Sequence, residues 1–225
     1  MTEPDRIVII GGHGKIALLA AGKLKAAGYE VVSVIRDPDQ SDDVRAAGGI
    51  PVVLDIETAD VDALASALSG ARGVVFSAGA GGGNPARTVA VDYEAATRTM
   101  DAADRAGVPR FVIVSYDRAG EDVHRVDPDE PFYTYAKAKH DADAYLRGTA
   151  LDYTILGPGR LTTEPASGGI TRAGDVPQAR MDERRVTSRE TVAEVMTHVL
   201  VTGAASRETV NFYDGGTPIG EALSS

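Results

Sequence analysis

Ser115, Tyr135 and Lys139 are the residues whose types and spacing could move a proton. Tyr135 and Lys139 stand at i and i+4 of a predicted helix, on one face, where an ammonium can lower a phenol pKa from about 10 toward neutrality. Such a phenol serves as a general acid–base group, and a serine hydroxyl beside it could hold a substrate carbonyl. A second frame, Tyr133 with Lys137, is offset by about 200° around the helix, so only one pair can face a cleft. The apolar stripe through Leu146 and Ala142 runs back to Lys139 and Tyr135, whereas the other frame runs through Asp141. That favours Tyr135 with Lys139; the plainer alternative is a pair of tyrosines anchoring a helix start. Asp92 falls on the stripe Val89, Asp92, Ala96, Met100, Ala103, which aims a carboxylate at apolar surroundings. A buried acid needs a partner, and Lys139 is the expected one; otherwise Asp92 is a carboxylate reaching solvent.

These groups need a scaffold, and the first stretch of the chain indicates which. Ile7 to Ile10 are four consecutive β-branched residues, a strand for burial on both faces, and a helical pattern through Ile16, Leu19, Ala20, Lys23 and Leu24 follows until Gly28. Between them Gly11, Gly14 and Ala17 form a G-x-x-G-x-x-A variant of the dinucleotide fingerprint: tight turn, close pyrophosphate approach, and helix packed on strand. His13 through its backbone, Lys15 and Ile16 complete the expected phosphate side of the site. Arg36 follows the second strand, where an acid would hold the ribose of NAD. An arginine there suits a 2′-phosphate, so the expected cofactor is NADP, with NAD as the alternative. Asp37 stands beside it, and Arg36 could instead pair with Asp39. Asp55 and Ile56, after the third strand, are placed to meet adenine, although Asp55 could equally be a cap. Ser77, Ala78 and Gly79, after the fourth, would run beneath pyrophosphate and ribose or simply form a tight turn.

Composition narrows the classes. The chain has 225 residues, 43% hydrophobic and 25% charged, enough for a full core. A net charge of −10 argues against nucleic acid or an anionic membrane as partner, since phosphate binding needs a basic footprint. No cysteine is present, and His13, His124, His140 and His198 are scattered, so no metal site is expected. Neither a membrane span nor a signal peptide is visible, and a cytoplasmic protein acting on a small molecule is expected. The sequence does not set the oligomeric state.

Strand-like and helix-like stretches alternate throughout: strands near Val31 to Ile35, Pro51 to Leu54, Gly73 to Phe76, Phe111 to Val114, Tyr153 to Leu156 and Thr209 to Tyr213. The expected fold is therefore α/β, a Rossmann-type doubly wound, mostly parallel sheet with helices on both faces. One domain over 1–225 is expected, with 157–225 supplying a small substrate-side cap. Gly157-Pro-Gly reads as the end of a strand, 117–131 as a long loop over the site or a flexible insertion, and 159–182 shows little periodicity. Ser188 reads as the cap of an amphipathic helix reaching about Leu200.

Six stretches together resemble a known family: 11–17 (GGHGKIA), 91–94 (VDYE), 106–115 (AGVPRFVIVS), 138–142 (AKHDA), 151–161 (LDYTILGPGRL) and 188–193 (SRETVA). They are similar to the atypical short-chain dehydrogenase/reductases, the NAD(P)H-binding group with sugar-epimerase-like members, over nearly the whole chain. The resemblance implies a Rossmann fold, NADP binding and an active-site group of Asp92, Ser115, Tyr135 and Lys139, with Asp where other short-chain enzymes have Asn. Gly157 departs from the arginine the family often carries before Pro-Gly. The expected function is an NADP-dependent oxidoreductase moving hydride to or from a small carbonyl or hydroxyl compound. A non-catalytic NADP(H)-sensing protein and an NAD(P)-dependent epimerase or dehydratase are the alternatives.

Overall fold

The computed structural model describes residues 5–81, 84–176 and 185–224. The first four residues, Gly82 and Gly83, and the 177–182 part of the aperiodic stretch lie outside the described residues. The strands are β1 Arg6–Ile10, β2 Glu30–Ile35, β3 Ile50–Val53, β4 Ala71–Phe76, β5 Arg110–Val114, β6 Asp152–Pro158, β7 Arg160–Thr162, β8 Ile170–Arg172, β9 Val186–Ser188 and β10 Glu208–Asp214. Eight of them build one sheet in the order β3-β2-β1-β4-β5-β6-β10-β8, and β7 pairs with β9 beside it. Only the β10–β8 pair of the large sheet is antiparallel.

The strands are runs of valine and isoleucine because helices cover both faces. Val8, Ile10, Val74, Phe76, Phe111 and Ile113 point into a core shared with the helices Val61–Leu68, 85–105 and Tyr133–Arg147. Ile7, Ile9, Val75, Val112 and Leu156 point the other way, against the helices Lys15–Ala26 and Arg189–Thr202. The chain winds outward in both directions from β1, which lies between β2 and β4. Their carboxyl ends therefore splay apart and leave a crevice at this switch point.

Four local features differ from the sequence reading. The 85–105 helix is not a uniform α-helix: Val89–Ala95 is π-helical, and the wider turn shifts the buried phase. Val89 consequently turns outward, 38% exposed, while Thr88 and Val91 face in with Asp92. β6 does not stop at Leu156 but continues through Gly157 and Pro158, paired with Asn211 and Phe212 of β10. Pro158 falls beyond the last paired residue of β5, where the strand can do without its N–H. The aperiodic stretch contains β7 and β8, too short for periodicity to register. In 117–131, Ala119–Asp122 is a helical turn, and Asp117 is fixed by a two-bond pair with Arg185 and by the Tyr213 hydroxyl.

Candidate active site

At the carboxyl ends of β1 and β4 the chain leaves room for a nucleotide. Gly11 has φ +81°, and a Cβ there would lie 2.6 Å from the Ala78 Cα, so only glycine lets the two strand ends approach. Gly12 is packed as tightly against Ser33 of β2, a constraint the fingerprint reading did not include. A groove of about 270 Å³ runs from Gly11, His13 and Gly14 past Arg36 to Asp55 and Ile56, with Ser77, Ala78 and Gly79 along its floor. Its lining and its glycine floor suit the adenosine and pyrophosphate part of a dinucleotide, with the pyrophosphate against backbone N–H groups. His13 turns its ring to Asp43, Ile16 faces the adjoining cavity, and Lys15 is exposed with its side chain in neither. The Asp55 side chain accepts from the Glu57 N–H.

Arg36 pairs with Glu57 at 2.8 Å, not with Asp39. Arg87, which also lines the groove, reaches the same Glu57 oxygen at 2.9 Å. Two guanidinium groups thus share one carboxylate oxygen beside the adenine end. Arg87 and Glu57 were not singled out from sequence, because a contact across 30 residues leaves no local pattern.

Ser77, Ala78 and Gly79 also line a second cavity of about 690 Å³, so the two adjoin along this stretch. Asp92, Ser115, Tyr135 and Lys139 all reach this cavity, and Pro131, Phe132 and Leu161 form much of its apolar wall. The competing pair points away: Lys137 is exposed and bound to Asp141. Tyr135 packs among Tyr116 and Phe132 at ring separations of 5.4 and 5.5 Å. The Lys139 ammonium lies 5.9 Å from the centre of the Tyr135 ring.

Lys139 and Asp92 form a buried ion pair, Nζ to Oδ1 3.0 Å, and Lys139 also donates to the Val114 carbonyl. The other carboxylate oxygen of Asp92, Oδ2, takes the Ala80 N–H. Burial pulls the Lys139 pKa down, but Asp92, then Tyr135, outweigh it and the net shift is upward. The Tyr135 phenol is also raised, by burial first; Lys139 opposes the shift, and Asp92 and Asp143 reinforce it. The expected lowering toward neutrality is thereby reversed, because burial outweighs the ammonium and Asp92 adds to burial. Ser115 donates to Asp143 at 2.7 Å, a partner that sequence reading missed.

Residues 11–202 match the family described as NAD(P)H-binding. The chain belongs to this family. Among similar proteins, a Bacillus subtilis protein named the uncharacterized sugar epimerase YhfK is 30% identical over 97% of this chain and 98% of its own length. A solved Bacillus halodurans structure, named as an NAD-dependent epimerase/dehydratase, superposes with a TM-score of 0.85 at 28% identity, covering 97% of this chain and 98% of that one. The oxidoreductase ylbE of Lactococcus lactis gives 0.80 at 26% identity, over 97% of this chain and 94% of that one. The NAD(P)H-binding family thus places the chain in the atypical short-chain dehydrogenase/reductase group, among proteins named as oxidoreductases and epimerases.

Within this NAD(P)H-binding chain, the Gly157 departure has a structural cause. A Cβ at 157 would collide with the Asn211 side-chain oxygen on β10, and the Asp117 Cα lies 3.3 Å away. Asn211 fills the space a side chain at 157 would need. Among the described residues no group of acids and histidines could hold a metal ion, and no helix is long and apolar enough to cross a membrane.

Proposed function

We propose that this chain is an NADP(H)-dependent reductase of small, uncharged carbonyl compounds, with Tyr135 as general acid. The observation that carries the reading is the meeting of Ser115, Tyr135 and Lys139 in one cavity that shares Ser77, Ala78 and Gly79 with the dinucleotide groove. A phenol holds its proton at neutral pH and can give it to a carbonyl oxygen as the hydride arrives, the role required in carbonyl reduction.

Ser115 orients the substrate carbonyl, and Tyr135 delivers a proton to its oxygen. Lys139 keeps a fixed positive field beside the developing alkoxide, and Asp92 holds Lys139 in place. When bound, the nicotinamide cofactor supplies the hydride. Arg36 and Arg87 exchange Glu57 for the 2′-phosphate, which accounts for a preference for NADP. Phe132, Pro131 and Leu161 give the cavity an apolar wall that suits an apolar substrate. A sugar nucleotide suits the site less well, since the cation among the described lining residues, Lys139, is already paired.

The test is NADPH consumption by purified protein with a panel of small aldehydes, ketones and quinones. Steady consumption with product alcohol supports the reading. Retained cofactor with interconversion of sugars but no net consumption makes the chain an epimerase, as the name of its Bacillus subtilis relative would have it. Tight NADPH binding with neither makes it a sensor.

A further inference from the structure

Asp143 has no role in the chemistry above, yet it stands one turn beyond Lys139 on the same helix, 2% exposed. Its Oδ2 takes the Ser115 hydroxyl at 2.7 Å. Its Oδ1 is buried with no hydrogen-bond partner among the described residues. An ionised carboxylate so placed is left partly unsatisfied, and a proton is the simplest remedy.

That proton would change what Ser115 can do. A serine hydroxyl carries one hydrogen. While Asp143 is ionised, this hydrogen is committed to Asp143, and Ser115 offers the cavity only lone pairs. A protonated Asp143 donates to Ser115 Oγ instead, which frees the serine hydrogen to point into the cavity.

We infer that Asp143 is a positioning residue: by taking up a proton it reverses the Ser115–Asp143 hydrogen bond and makes Ser115 a donor toward a substrate carbonyl. The catalytic consequence rests on the carbonyl-reductase reading. Lys139 and Arg147 act on Asp143 from its own helix and favour ionisation, as does the Ser115 hydroxyl from the end of β5. Tyr135 lies on the same helix, and Asp92, from the 85–105 helix, neutralises Lys139. Burial outweighs the three favourable contacts and pushes Asp143 up to about 6, so the reversal falls within the range a cell experiences.

Two measurements test this on the full chain. The first is the pH profile of kcat/KM for para-nitrobenzaldehyde reduction by NADPH. With one proton titrating near pH 6, the wild type should gain about 10²-fold from about pH 8 to about pH 5. Asp143→Asn and Ser115→Ala should both lose this limb, since one removes the titrating group and the other the hydroxyl through which it acts. A limb that persists in Ser115→Ala overturns the proposal. The second is infrared titration of the NADPH-bound wild type and Ser115→Ala, which needs no turnover and no Asp143 variant. A protonated-carboxyl band should grow in near pH 6 and shift when Ser115 is removed. Absence of the band, or a band indifferent to Ser115, overturns the proposal. A Ser115-sensitive band in a protein that reduces no carbonyl upholds the hydrogen-bond reversal and removes the reductase reading instead.

Discussion

Lys139 Nζ lies 3.0 Å from Asp92 Oδ1, and both side chains are buried, so the cation beside Tyr135 is already balanced by a carboxylate from a different helix. This pairing adds to burial, the larger cause, in keeping the phenol up despite a lysine one turn away. It also makes Asp92 essential to Lys139. Asp92→Ala should cost about 3–5 kcal/mol of stability, because it leaves an uncompensated buried charge. Lys139→Met in the same chain should recover much of that loss, and a denaturant double-mutant cycle measures it. Simple additivity of the two losses would mean that the pair is not coupled.

Asp143 should make stability depend on pH. Its pKa is raised from 3.8 to about 6 on folding, so the folded state holds the proton more tightly than the unfolded chain. The resulting stabilisation is complete below about pH 4 and is lost as pH rises through about 6, a total of about 3 kcal/mol. Asp143→Asn does not titrate. Its melting temperature relative to wild type should therefore improve between about pH 4 and about pH 8; an unchanged difference would mean that Asp143 ionises normally in the fold.

Arg36 and Arg87 converge on Glu57. Either one replaced by alanine should weaken NADPH binding by about 1.5–3 kcal/mol, the worth of a hydrogen bond to a charged group. NADH binding should change little. Calorimetric titration with both cofactors checks this, and equal losses would remove the 2′-phosphate argument.

The doubly wound sheet was legible in the sequence because it rests on local signals: the apolar run Ile7 to Ile10, the glycines at 11 and 14, and the cap at Ser188, whose hydroxyl accepts from the Thr191 N–H. Helical phase likewise identified which tyrosine frame faces the cavity. What stayed hidden depends on contacts distant in sequence. Asp143 reads as one more acid in an alternating Asp–Ala stretch until the fold brings Ser115 to it across 28 residues. Glu57 has no local signal of its own, and only the fold brings two arginines to it. The π-helical turn at Val89–Ala95 leaves no composition signal, and a regular 3.6 period misplaces Val89 while still turning Asp92 inward. The Tyr135 shift depends on the balance between burial and a paired lysine, and spacing alone supplies only the lysine.

If Tyr135 is the proton donor of a reductase, Tyr135→Phe removes the donated proton. The substitution keeps the ring among Tyr116 and Phe132 and deletes only the hydroxyl. With NADPH and an aromatic aldehyde, kcat/KM should fall by roughly 10² to 10⁴, about 3 to 5 kcal/mol of barrier. NADPH affinity should stay within about threefold, a loss well under the worth of one hydrogen bond to a charged group. Tyr133→Phe, the control outside the cavity, should leave turnover nearly unchanged. A loss that follows Tyr133, or turnover that survives Tyr135→Phe at the wild-type rate, would contradict the account.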